Sequence, residues 1–246
     1  MSFQQTFEPL PVQFARFTAL LRSLTPHEEA APVPGMEWTA NEVGAHVLTV
    51  VNRYLAPSER AASRARLAAL NAEDVSSVAK TAAEVADELD ATIAQLAHVA
   101  SSFPLDGLRD FHLGLSVTMA AAWANLLGEL LVHGDDISRA TKRHWSMDDE
   151  LLEGIWRNLL PAAAGWLRPE AHAVNELYRL NFPFGPVTLR IVEGEVRVDH
   201  SDDVDLSADH TIDIVGTAQF TLQFPYRRAC ISDPRTALLA SRFFDI

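Results

Sequence analysis

Residues 115–140 read LSVTMAAAWANLLGELLVHGDDISRA, and the periodicity of this stretch decides the fold. Leu115, Met119, Ala122, Leu126, Leu130 and Ile137 recur at helical spacings. They mark the buried stripe of an amphipathic helix, which the pattern predicts over Leu115–Ala140. Glu129 and His133 fall within that stripe, four residues apart, so their side chains stack on one inward face. A carboxylate placed in an apolar interior requires a partner or a cation. A buried hydrogen-bonded pair and a metal site both meet that requirement.

Working outward, a second helix begins at Thr39, with Glu42 three residues on as a capping box, and runs to about Ala56 before Pro57. Val43, Val47, Val50 and Tyr54 form its apolar stripe, and His46 lies among them. Two imidazoles and one carboxylate therefore enter one interior from two helices. Three such donors with an open fourth position form the arrangement that catalytic zinc uses. Further helices are predicted over Phe7–Leu24 and Ala72–Ala100, which completes an antiparallel four-helix bundle. Another runs from Asp148 to Leu167.

From about Asn175 the texture changes to Val, Ile, Thr and Phe in short alternating runs. Strands are predicted at Glu176–Asn181, Val187–Val192, Glu195–His200 and Thr211–Val215. Helical runs follow at Gly216–Phe224 and Pro234–Phe243. The expected architecture is α plus α+β, with a helical bundle over residues 1–145 and a small α+β domain over 146–246.

The chain has 246 residues and a net charge of −13, which disfavours a nucleic-acid partner. No signal peptide opens it, and no apolar run is long enough to span a membrane. The single cysteine, Cys230, permits no internal disulfide and is expected to be a buried small hydrophobe. These features fit a cytoplasmic protein. Asp135 is expected to face solvent. Serine-triad, P-loop and dinucleotide fingerprints are all missing.

WTANEVGAHV (Trp38–Val47) together with ELLVHGDDI (Glu129–Ile137) resembles the mycothiol-dependent maleylpyruvate isomerase family, one of the DinB-like metal-binding bundles. The family's signature is a Trp-Ser/Thr opening to a helix that carries a ligand His, and a later Glu-x-x-x-His-Gly-x-Asp. The matching positions are His46, Glu129 and His133, with Gly134 and Asp136 also in place. The resemblance implies a DinB-like four-helix bundle followed by a sterol-carrier-like α+β domain. It further implies one divalent metal, zinc or another, and mycothiol, a low-molecular-weight thiol of actinobacteria. The expected activity is cis–trans isomerisation or thiol transfer to a small electrophile, by a monomer or small homo-oligomer.

Asp136, one turn beyond His133, is a candidate catalytic-site residue that orients the ligand histidine; the alternative is a surface acid or cap. Arg227 and Arg228 are candidates for binding an anionic cofactor or substrate, against a plain surface role. Two other readings stay open: a metal-dependent hydrolase on the same bundle, and a non-catalytic small-ligand carrier with a structural metal.

Overall fold

The computed structural model describes residues 9–56, 58–159, 165–199, 208–224 and 230–243. The chain divides into two compact units, Met1–Met147 and Asp148–Ile246. No described helix is long and apolar enough to cross a membrane.

The first unit is helical. Helix α1 (Pro9–Arg22) is followed by the short α2 (Pro26–Glu29), α3 (Ala40–Leu55), α4 (Arg64–Ser77) and α5 (Ala82–Ser102). A two-stranded hairpin, β1 (Leu108–Asp110) with β2 (Ser116–Thr118), leads into α6 (Met119–Thr141). Helix α1 packs on α5 and α6, and α3 packs on α5 and α6, so these four form the bundle. Its core is apolar, with Leu10, Phe17, Val47, Leu89, Leu96, Leu126 and Leu130 all buried.

Capping chemistry sets the boundaries. Thr39 accepts a hydrogen bond from the Glu42 backbone, and Glu42 accepts one from the Thr39 N–H at 2.7 Å. The same box recurs as Thr25–Glu28 before α2 and as Thr81–Glu84 before α5. The second of these explains one departure from expectation. The single helix predicted over 72–100 is two helices, because the chain leaves the helical path at Val78 and restarts at the Thr81 cap. Helix α6 starts at Met119 rather than at Leu115, since 116–118 are taken up by pairing with 108–110.

The second unit opens with α7 (Asp149–Leu159). Strands β3 (Asn175–Phe182), β4 (Gly185–Val192), β5 (Glu195–Asp199) and β6 (His210–Asp213) follow, then α8 (Thr217–Gln223) and α9 (Pro234–Arg242). The sheet order is β5-β4-β3-β6, antiparallel except for the parallel β3–β6 pair. Glu193 and Gly194 both have positive φ (51° and 79°), the backbone of the tight two-residue turn that joins β4 to β5. Helical bundle and α+β unit together match the expected fold class.

Candidate metal centre

Helices α3 and α6 bring the three predicted donors together. His46 is 6 % exposed and His133 7 % exposed, both facing the bundle interior. The His46 Nε2 lies 3.5 Å from Glu129 Oε2, and His133 Nε2 lies 3.0 Å from the same oxygen. The two imidazole rings are 5.1 Å apart and perpendicular. One donor atom from each of the three residues lies within 4.8 Å of the others. A tetrahedral ion with bonds of about 2.0–2.2 Å sets its donors roughly 3.3–3.6 Å apart; the 3.5 Å separation falls within that range and the 3.0 Å separation slightly below it.

The next layer fixes His133. Asp136 is fully buried, and its Oδ2 lies 3.0 Å from His133 Nδ1. Its other oxygen accepts from Arg139 at 2.5 Å, and Arg139 also pairs with Asp135 at 2.9 Å. With Asp136 taking the Nδ1 proton, the Nε2 lone pair of a neutral His133 points at a carboxylate oxygen. Two lone pairs at 3.0 Å repel unless a cation lies between them. In the protein alone that cation is a proton. Burial acts to lower the His133 pKa, but the bonds with Asp136 and Glu129 outweigh it and hold it raised to about 9. Glu129 is likewise opposed by burial, yet the two histidines hold it below the usual carboxylate range. His46 moves the other way: burial lowers its pKa, so it stays neutral. Its buried Nδ1 has no hydrogen-bond partner among the described residues. Two imidazoles and one carboxylate, with His46 neutral and its Nε2 turned to the shared oxygen, form a donor set that fits a divalent ion.

Two aromatic residues frame the cluster. Trp38 lies against His46, ring centroids 4.9 Å apart. Trp145 packs on the backbone beside His133, where a Cβ on Gly134 would stand 2.2 Å from its ring. Gly134 is therefore required by the close approach of Trp145, which also donates to the Leu131 carbonyl at 2.9 Å.

Other expectations fare differently. Asp135 is part-buried and ion-paired with Arg139, not turned to solvent, because the long guanidinium reaches back one turn to cover it. Cys230 is exposed, since it falls outside the regular elements instead of in a core position. Arg227 and Arg228 lie outside the described residues. Sequence reasoning missed Asn125, which is 7 % exposed one turn before Glu129 and donates to the Tyr54 hydroxyl at 3.4 Å. Its place on the Glu129–His133 face was the available signal.

A family model described as the mycothiol maleylpyruvate isomerase N-terminal domain matches residues 10–138. Among solved structures, that of the mycothiol-dependent maleylpyruvate isomerase is similar at 12 % identity and a TM-score of 0.51. It covers 85 % of this chain and 97 % of the other. A histidine-to-alanine mutant of that enzyme gives 11 % identity and a TM-score of 0.52 over the same shares. At such identity the likeness speaks for the fold. No curated protein matches the chain.

Proposed function

The chain belongs to the mycothiol maleylpyruvate isomerase N-terminal-domain family, and on that premise we propose that it is a metal-dependent enzyme that uses mycothiol on a small electrophile, as a cis–trans isomerase or S-transferase. His46, Glu129 and His133 would hold the metal, with zinc the best match to a two-nitrogen, one-oxygen set. A divalent ion there lowers the pKa of a thiol, supplying a thiolate nucleophile at neutral pH.

The observation that carries this reading is the 3.0 Å approach of His133 Nε2 to Glu129 while Nδ1 is engaged by Asp136. The chain's own residues do the positioning. Asp136 fixes the His133 tautomer, and Arg139 fixes Asp136. Burial keeps His46 neutral and able to donate a lone pair. Trp38 limits the rotation of its ring. The same reading places the protein in the cytosol with a reduced thiol pool.

Elemental analysis of the purified chain should find about one equivalent of zinc. His46→Ala should lose it while far-ultraviolet circular dichroism stays helical. Retained metal would refute the ligand assignment. In the cobalt form, mycothiol should produce a sulfur-to-cobalt charge-transfer band. A cobalt protein that shows none is a hydrolase-type or structural centre instead.

A further inference from the structure

The charge pattern around Tyr54 is unlike the rest of this acidic chain. Tyr54 lies on α3, two turns beyond His46, and its hydroxyl donates to the Ala122 carbonyl at 2.6 Å. The Arg109 guanidinium sits over its ring, 4.8 Å from the centroid. Arg60 reaches the same region from the segment after α3, donating to the carbonyls of Arg53 and Asp110 at 3.2 Å each. Arg53, 8 % exposed, is the third cation, and Asp74 satisfies it at 2.6 Å. Arg60 and Arg109 differ from it: among the described residues neither forms an ion pair with a carboxylate. Glu59 is engaged by Arg66, and the exposed Asp110 makes no such pair among the described residues.

Two part-buried guanidiniums without counter-ions are unfavourable beside a third. Burial and repulsion from Arg109 and Arg53 lower the Arg60 pKa accordingly. Arg60 engages all three guanidinium nitrogens, on the carbonyls of Arg53, Ser58, Glu59 and Asp110 and on the Ser58 hydroxyl, so it offers charge more than open donors; Arg109 uses its π-face on Tyr54. Among the described residues Arg109 has no hydrogen-bond acceptor, which leaves its planar fork for an external acid. The place is close to the metal ligands. Asn125 bonds Tyr54 and lies one turn, about 6 Å along the axis, from Glu129.

We propose that Arg60 and Arg109, on the Tyr54 and Asn125 side of the His46–Glu129–His133 cluster, form a subsite for a carboxylate carried by the electrophilic substrate. The subsite anchors the acid end and leaves the electrophilic carbon to reach the cluster. It rests on the reading of that cluster as the reaction centre.

The test is calorimetric titration of the full, metal-depleted chain with maleate, with zinc content assayed separately on each protein as purified. Wild type should bind maleate in a salt-sensitive manner and ignore the uncharged maleamide. Arg109→Gln should weaken binding about tenfold or more, Arg60→Gln similarly, and Arg109→Lys should recover part of it. Arg22→Gln, which alters an exposed pair with Asp87 between α1 and α5, should change nothing. All these proteins should retain zinc. Equal affinity in wild type and Arg109→Gln, or equal binding of maleate and maleamide, overturns the subsite whatever the zinc content. Tighter binding of inorganic phosphate than of maleate overturns the carboxylate assignment. Missing zinc with the expected maleate pattern overturns the metal-centred reading and leaves the anion site standing.

Discussion

Around Glu129 the helical unit buries two imidazoles, an asparagine and the Asp136 carboxylate between α3 and α6. Around Trp156 the second unit buries Phe182, Phe220 and Phe224 in ring contact at 5.2–5.9 Å, and Phe224 in turn touches Phe243. Among the described residues its buried polar groups are threonines; Trp156 itself donates to Thr221 at 2.9 Å. The difference teaches where each unit places its free energy. Desolvated imidazoles and carboxylates oppose folding unless each is bonded or coordinated. An interior that holds several, with one ring nitrogen unmatched, is shaped for chemistry. An aromatic interior whose buried polar groups are neutral hydroxyls, with Thr217 alone lacking a hydrogen-bond partner among the described residues, is shaped for stability.

The contrast can be broken most severely at Trp156. Trp156→Ala should destabilise the second unit by about 3–5 kcal/mol, read by urea denaturation, and leave zinc stoichiometry untouched. Loss of metal in that variant would show that the two interiors are not independent in the way described.

At the polar interior the corresponding change is smaller in stability and larger in metal. Asp136→Asn keeps the size but can present an N–H to His133 Nδ1, favouring the wrong tautomer. Zinc affinity, measured by competition with a chelator, should fall about 10–100-fold. An unchanged affinity would make Asp136 a buried structural acid only.

The smallest effect sharpens the comparison through pH. His112, half-buried, accepts from the Ala61 N–H at 3.0 Å. Burial, with Arg53 and Arg60 nearby, lowers its pKa from 6.5 to about 4. The folded state thus binds fewer protons at this site than the unfolded chain does. Acidification from about pH 6.5 to about pH 4 therefore destabilises the helical unit, and the penalty vanishes above that window. Denaturation midpoints for His112→Gln should depend less steeply on pH across this range. A variant as steep as wild type would locate the acid sensitivity elsewhere.

Much of this was legible in the residues themselves. The Thr39–Glu42 box, the stripe through Leu126 and Leu130, and the β4–β5 turn at Glu193–Gly194 are local signals, and each formed where expected. Thr81–Glu84 is an equally local signal. It divides the helix predicted over 72–100 by capping chemistry that lies within four residues of sequence. The β1–β2 pairing was different, because strands three residues long carry too little pattern to be recognised.

By itself the sequence determined which residues face inward, because helical periodicity and capping act within a few residues of one another. It therefore placed His46, Glu129 and His133 on buried faces. Only the tertiary structure decided that one carboxylate oxygen meets both imidazoles, at 3.5 and 3.0 Å, and that Asp136 is buried against His133 with Arg139 behind it. It also decided that Arg60 and Arg109, 49 positions apart in the chain, share the neighbourhood of Tyr54. Distances between side chains on different elements depend on how ridges and grooves interlock. Packing of that kind leaves no local trace in the order of residues.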